Sequence, residues 1–172
     1  MKKFAVTTWA QFIRVPVFVD RVMTSYGEVI GSPMEVTSYR HQIGADGVLL
    51  FTDIHVKHSR ILNTDSIEQS AVKAVAAGAD ALIITGKWTG DAPDLAELRR
   101  VQAMIGSFPI IVGSGADQDN AAALRQYADG FIVSTSIKQG TADATKVNLK
   151  MPTERIDTER TKAFVKALNS IK

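Results

Sequence analysis

Five short apolar runs stand out along the chain, and each is apolar at nearly every position instead of at alternate positions. Short runs rich in β-branched residues predict strands, and unbroken apolarity predicts strands that are covered on both faces, as in a parallel sheet. The predicted strands are 12–18, 48–54, 81–85, 109–113 and 130–134.

The segments between the runs carry apolar residues at helical spacing. Ser32, followed by Pro33 and Glu35, predicts a helix start with a capping side chain, and Asp65 and Asp117 predict two further starts. The apolar stripes are Ile67/Ala71/Ala74/Val75, Leu95/Leu98/Val101/Ile105, Ala121/Leu124/Ala128 and Ile156/Phe164/Ala167/Leu168/Ile171.

Strict alternation of strand and helix predicts an α/β protein of about five βα units with parallel strands and right-handed crossovers. An Ala-Asp pair precedes three of the strands, at Asp46, Asp80 and Asp129. We expect these carboxylates to accept backbone amides at the amino-terminal edge of the sheet, which gives them a structural role.

The number of strands leaves the architecture open. A closed (β/α)8 barrel needs eight strands and about 250 residues, whereas an open doubly wound sheet is complete with five. In both architectures ligands bind beyond the carboxyl ends of the strands, so candidate chemistry is sought there.

Small and hydroxyl residues follow the last two strands, as Gly113-Ser114-Gly115 and Ser134-Thr135-Ser136. Backbone N–H groups at such turns bind phosphate, since glycine lets them approach and a helix N-terminus adds a favourable dipole. A pair of tight turns with capping hydroxyls explains the same residues without a ligand. Both interpretations stay open on local sequence alone.

The second strand ends in a denser polar group that contains Asp53, His55, Lys57 and His58. Asp53, Lys57 and His58 are the candidate catalytic residues. The carboxylate and imidazoles suit acid–base work or a divalent metal, and the lysine suits either an anion or a Schiff base. No metal-binding spacing is present, so we expect neither a metal nor a cofactor. The alternative is that these four residues are ordinary polar residues of a surface loop.

Two further places belong to the candidate site. Thr85-Gly86 and Thr89-Gly90 predict a loop held close to a ligand, the alternative being a turn that enters the next helix. Arg14 lies in the apolar first strand and needs an anionic partner if buried, either a substrate anion or a carboxylate such as Asp53.

Composition excludes several classes of function. The 172 residues include no cysteine, which excludes thiol catalysis, disulfides and iron–sulfur clusters within this sequence. A net charge of +2 does not favour nucleic acid as a partner. No apolar run approaches the ~20 residues of a membrane span. The length predicts a single domain over residues 1–172. The polar residues that follow Phe4 disfavour a secretory signal, and we expect a cytoplasmic location.

The combined motifs resemble the BtpA/SgcQ family. The stretches that carry the resemblance are 12–15, 56–59, 81–90, 111–115 with Asn120, and 128–138. Members of that family are read as phosphate-binding (β/α)8 barrels, and the resemblance places the five strands as the fourth to eighth of a barrel. Two positions depart from the family pattern: Pro16 stands where Asn is usual, and Ser134 stands where Gly is usual.

The resemblance implies a small phosphorylated metabolite or phosphate as ligand, held by Arg14 and the turns after the last strands. It leaves open an enzyme or enzyme remnant, a non-catalytic assembly or stability factor of the kind associated with photosystem I biogenesis, and an inactive folded fragment. A five-strand sheet also has two unpaired edges, so we expect a homodimer that pairs them, with terminal segments as the alternative cover.

Overall fold

The structure is a computed structural model that describes residues 9–141 and 151–170. In chain order its elements are β1 (Phe12–Val15), β2 (Arg21–Thr24), β3 (Gly27–Ile30), α1 (Pro33–Gln42), β4 (Leu49–Asp53), β5 (Arg60–Ile61), α2 (Ile67–Ala76), β6 (Ala81–Ile84), α3 (Leu95–Ile105), β7 (Ile110–Val112), α4 (Ala121–Leu124), β8 (Gly130–Phe131), a 3-10 turn (Thr135–Ile137) and α5 (Thr158–Leu168).

The main sheet has five parallel strands in the order β1-β4-β6-β7-β8. Each predicted run supplies one of them, which confirms the α/β class and its parallel β/α repeats. The strands are shorter than predicted. β1, for example, stops at Val15 because Pro16 has no N–H to continue a ladder.

A second, antiparallel sheet of order β3-β2-β5 was not predicted. β2 and β3 form a hairpin whose turn contains Gly27 at φ 112. Val22 is fully buried while its neighbours Arg21 and Met23 are exposed. This strand therefore shows the alternating pattern of a half-buried strand, which a search for continuous apolar runs passes over.

One face of the main sheet packs against the helices and forms the core. The strand residues on this face alternate with residues on the other face, as the two-residue period of a strand requires. The core members are Leu50 and Ile54 of the β4 region, Leu82 and Ile84 of β6, Ile110 and Val112 of β7, and the helix residues Ala71, Ala74, Leu98, Val101, Leu124 and Phe164.

The opposite face of the sheet is apolar and partly open. Phe12 is 50% exposed, Leu49 42% and Ile132 38%. Phe12 stacks on Phe51 with ring centroids 4.4 Å apart. In a closed barrel, side chains of this face fill the interior together with those of the remaining strands. In the described residues this face, which we call the inner face, has no such cover.

Several local predictions about the helices are wrong in detail. The N-cap of helix α2 is Ser66, whose side chain forms a capping box with Gln69, and not Asp65. Ser32 precedes α1 without a side-chain cap. Ile156 lies outside α5 and bridges to Lys138.

Ala128 is buried, but it lies beyond the end of α4. Ile171 lies outside the described residues, as does the segment on which the absence of a secretory signal was predicted.

Two of the three aspartates before strands act as predicted. The Asp80 carboxylate accepts the Leu50 N–H at 2.7 Å, and the Asp129 carboxylate accepts the Ile110 N–H at 3.0 Å. Each therefore joins the start of its own strand to the neighbouring strand. Asp46 differs, because its exposed carboxylate contacts only the His41 ring.

We predict that Asp80→Ala lowers the free energy of unfolding by about 1–3 kcal/mol, because it leaves the Leu50 N–H without an acceptor. Urea denaturation followed by circular dichroism measures the loss. Asp46→Ala is the matched control and should stay within about 0.5 kcal/mol of the parent. Equal losses in the two variants would contradict this role of Asp80.

Candidate anion-binding site

A cavity of about 580 Å³ opens at the carboxyl ends of the main sheet. The turn after β7 (113–116, the β7 turn) and the turn after β8 (134–136, the β8 turn) form one wall. Arg14 from β1 and Lys57 from the loop after β4 also line it. The volume lies within the ~300–1,000 Å³ of small-molecule sites.

The β7 and β8 turns are joined directly. The Ser136 hydroxyl donates to the Ala116 carbonyl oxygen at 2.7 Å. The N–H groups of Gly115, Ala116, Thr135 and Ser136 form no hydrogen bond to another described residue. The two turns therefore bring unused amide donors to the wall of one cavity.

Glycine is required in the β7 turn for two reasons. Gly115 has φ 70, and a Cβ there would lie 2.0 Å from the Ala92 nitrogen. A Cβ on Gly113 would lie 2.5 Å from Cγ2 of Ile83. Both positions thus let neighbouring segments pack against bare backbone.

The Ser114 hydroxyl is occupied within the fold. It accepts the Gly86 N–H at 3.1 Å and donates to the Asp91 carbonyl oxygen at 2.8 Å. Ser114 lines the cavity, but its hydroxyl fastens the loop after β6 to the β7 turn. The hydroxyl is therefore a positioning group, and an anion at this residue would contact its backbone.

Asn120 fixes the exit of the β7 turn. Its side-chain amide donates to the Gly115 carbonyl at 2.8 Å, and its Oδ1 accepts the Asp117 N–H at 2.9 Å. The Asp117 carboxylate accepts the N–H of Asp119 and of Asn120, both in the turn before α4. The predicted helix start at Asp117 is therefore wrong, because α4 begins after Asn120. These bonds hold the turn in one conformation without any ligand.

Arg14 and Asp53 form a bidentate ion pair on the neighbouring strands β1 and β4. The Arg14 Nε and Nη2 atoms donate to the two Asp53 carboxylate oxygens at 2.7 and 2.6 Å. The Asp53 side chain has no exposed surface, whereas a third of the Arg14 side chain is exposed. Arg14 was expected to pair with either a substrate anion or a carboxylate such as Asp53. In the structure its partner is the Asp53 carboxylate.

Burial raises the pKa of Asp53, and the hydrogen bonds from Arg14 oppose that rise. The same bonds raise the pKa of Arg14 above its ordinary value. Short paired N–H···O contacts of this kind belong to a charge-assisted pair. Asp53 does not line the cavity, so its direct contact is with Arg14.

Lys57 lines the cavity and is half-buried. Burial lowers its pKa, and the nearby positive charge of Arg14 lowers it further. His58 lies beside it at φ 62 but is exposed and does not line the cavity. Its Nε2 lies 3.1 Å from the Thr89 hydroxyl, and Thr89 does line the cavity.

The structure brings most of the expected ligand-binding residues together. Those that line the cavity are Arg14, Thr89, Gly113, Ser114, Gly115, Ser134, Thr135 and Ser136. Lys57, expected as a catalytic residue, lines it as well. Asp53, His58, Thr85 and Gly86 do not line it. Thr85 is buried, and its hydroxyl has no hydrogen-bond partner among the described residues. The backbone of Ser134 has φ −143, and the residue lies on the cavity wall.

Sequence reasoning missed the outer wall of the cavity. Lys138 and Glu154 line it as an ion pair, and the Arg160 guanidinium donates to the Lys138 carbonyl at 2.6 Å. Lys138 directly follows the β8 turn and could have been assigned from that position. Glu154 and Arg160 carry no local pattern, because tertiary folding alone brings them back to this end.

The sheet order, the alternation with helices and the position of the cavity define a TIM-barrel-type α/β protein, represented here by part of a barrel. The chain belongs to the BtpA family, whose sequence profile matches residues 2–170.

Named relatives extend this assignment. The photosystem I biogenesis protein BtpA of Synechocystis is 34% identical over 160 residues, 92% of this chain and 52% of that protein. An uncharacterized protein of Methanocaldococcus jannaschii is 35% identical over 164 residues, 95% of this chain and 58% of that protein. The chain thus spans somewhat more than half the length of these two relatives.

Solved structures agree on the fold. N-(5'-phosphoribosyl)anthranilate isomerase from Pyrococcus furiosus superposes with a TM-score of 0.55 at 16% identity, covering 97% of this chain and 66% of that one. A KDPGal structure superposes with a TM-score of 0.57 at 15% identity, covering 96% and 62%. At these identities the likeness establishes the fold alone.

Two features are absent from the part of the chain that the structure describes. No helix among residues 9–141 and 151–170 has the length and apolarity to cross a membrane. The same residues contain no group of three or more His, Asp or Glu side chains placed to hold a metal ion.

We predict that Asp53→Ala lowers the free energy of unfolding by about 3 kcal/mol, because it leaves the Arg14 guanidinium without its partner. Thr52→Val is the control: the Thr52 hydroxyl is buried and unpartnered among the described residues, so its removal should be neutral or stabilising. Guanidinium denaturation measures both. A neutral Asp53→Ala would contradict a structural ion pair.

Proposed function

We propose that this chain binds the phosphate group of a small phosphorylated metabolite at the β7 and β8 turns. The observation that carries the proposal is that both turns line one cavity and are tied together by the Ser136–Ala116 hydrogen bond. Their unused N–H groups are the donors that phosphate-binding turns present. The exposed residue Ser134 accompanies them on the wall.

The charges around the cavity favour a small anion. Arg14 and Lys57 line it with positive charge, and Lys138 and Arg160 add two further cations. Asp117 and Glu154 supply two carboxylates, and Glu154 is paired with Lys138. The Arg14 charge is shared with Asp53, which leaves Lys57 as the lining cation with no ion-pair partner among the described residues.

A phosphorylated metabolite is favoured over free phosphate by the size of the cavity, which has room for more than one small ion. This chain shares part of the fold of the Pyrococcus furiosus isomerase, and the name of that isomerase refers to a phosphoribosyl compound. That name supports the class of ligand and not the reaction.

If the chain is part of an enzyme, the three predicted catalytic residues have different roles. Lys57 is the member that lines the cavity, and His58 reaches it through Thr89. Asp53 acts through Arg14, whose guanidinium it orients by two hydrogen bonds. We therefore assign Asp53 a positioning role and keep Lys57 and His58 as candidates for contact with substrate.

Titration with inorganic phosphate tests the proposal. We expect millimolar phosphate to shift the amide NMR resonances of residues 113–116 and 134–136, and most strongly those of Gly115, Ala116, Thr135 and Ser136, because their unused N–H groups would donate to the anion. Ser134→Asp should weaken binding about tenfold or more by placing a negative charge beside it. Ser107→Asp, an exposed change before β7, is the matched control. Shifts spread evenly over the surface would argue against this site.

Non-catalytic assembly is the second candidate function. Two observations favour it: the identity to a photosystem I biogenesis protein, and the exposure of Phe12, Leu49 and Ile132 on the inner face. Apolar surface of this kind on an incomplete sheet is suited to cover by another protein segment. Capture of a partner complex that persists in Lys57→Arg would favour this function over catalysis.

The inner face and the open edges also support the expected homodimer. A second copy would cover Phe12 and Leu49 and pair the edge of β1 that no strand of the described residues occupies. A single domain and a cytoplasmic location stay predictions. Fractionation of cells that express the tagged chain would check the location.

We expect the chain to sediment as a dimer, and Leu49→Lys to shift it to a monomer by placing a charge on the inner face. Met104→Lys, a change at another exposed apolar residue, on α3, should leave the dimer intact. Sedimentation velocity distinguishes the two forms. A stable monomer in the parent chain would contradict the dimer.

A further inference from the structure

Lys57 differs from the other cations of the cavity in having no partner of its own. Among the described residues its ammonium forms no ion pair, although the Asp53 carboxylate is near enough to influence its pKa. Both oxygens of that carboxylate are engaged by Arg14. Lys57 is therefore a half-buried amine, next to a guanidinium, on the wall of a cavity.

The loop that carries Lys57 is held firmly at several points. The His55 N–H donates to the buried Asp20 carboxylate at 2.9 Å, and the His58 N–H donates to the Lys87 carbonyl at 3.3 Å. The Ser59 hydroxyl donates to the Val56 carbonyl at 2.6 Å. These bonds fix the backbone on both sides of Lys57, so its side chain enters the cavity wall from a defined Cα position.

A lysine in this setting suits covalent chemistry better than charge pairing. Arg14 already supplies a permanent positive charge, and a second cation beside it is repelled. Burial, the largest effect, and that repulsion lower the pKa of Lys57, while the Asp53 carboxylate opposes the shift. The pKa is lowered on balance, which favours the neutral amine, the nucleophilic form.

We propose that Lys57 forms an imine with the carbonyl carbon of a small phosphorylated aldehyde or ketone. This inference rests on the proposed function, because the phosphate of the same molecule would lie at the β7 and β8 turns. The cavity has space for a molecule with both groups, since Lys57 and the two turns line it together.

The step balances without a redox partner. The neutral Lys57 amine attacks the carbonyl carbon and forms a C–N bond, while the π electrons move to oxygen. That oxygen gains one proton from the amine, which gives a carbinolamine. With one proton taken up from solvent, the oxygen then leaves as water and the protonated C=N bond forms.

Reductive trapping tests the inference. The protein is incubated near neutral pH with dihydroxyacetone phosphate and borohydride, and the adduct is located by peptide mass spectrometry. We expect one stable adduct on Lys57. Lys57→Arg removes the primary amine but keeps a long basic side chain, and it should abolish the adduct. Lys87→Arg, which replaces an exposed lysine after β6, should retain it.

Two further samples define the ligand. Dihydroxyacetone without phosphate should label Lys57 far less, and inorganic phosphate added as competitor should reduce labelling by dihydroxyacetone phosphate. No adduct on Lys57, or equal labelling of Lys57 and Lys87, overturns the imine.

The phosphate titration separates this failure from that of the proposed function. Amide shifts at the two turns without an adduct would overturn the imine and leave phosphate binding intact. Equal labelling with and without the phosphate group, together with no amide shifts, would overturn the phosphate site and the phosphorylated class of substrate.

Discussion

Parallel pairing of β7 with β8 is the constraint on which the candidate site depends. Because both strands run in the same direction, their following turns leave the sheet at the same edge. The Ser136–Ala116 hydrogen bond then holds the two turns together. Without that pairing, the N–H groups of the β7 and β8 turns would not share a cavity.

At this edge of the sheet, polar residues that are neighbours in the sequence have different roles. Asp53, Lys57 and His58 are close together in the chain, but only Lys57 lines the cavity. Asp53 is buried and holds Arg14, and His58 is exposed beside Thr89. Of these three residues, Asp53 thus supports Arg14, Lys57 is the candidate nucleophile, and His58 lies at the rim of the cavity.

The rest of the architecture has one closed face and one open face. Helices cover the outer face of the sheet, where the core residues lie. The inner face keeps exposed aromatic and aliphatic side chains. This asymmetry is what part of a barrel produces, since in a whole barrel the interior is filled from all sides. The coverage of somewhat more than half of BtpA of Synechocystis agrees with it.

The sequence by itself determined the five parallel strands, the helices between them and the turns that carry the candidate anion site. It could do so because strand burial and glycine turns leave local patterns. The Ala-Asp pattern before strands assigned Asp80 and Asp129 correctly but failed for Asp46, whose carboxylate contacts the His41 ring.

Tertiary structure decided the rest. The β2–β3 hairpin has only a weak alternating pattern, and its place depends on burial against the body of the protein. The engagement of the Ser114 hydroxyl, the choice of Asp53 as the partner of Arg14 and the arrival of Arg160 at the cavity all join residues distant in the chain. Such contacts follow from how the elements pack. Contacts between residues that are distant in the chain produce no periodic pattern in the sequence.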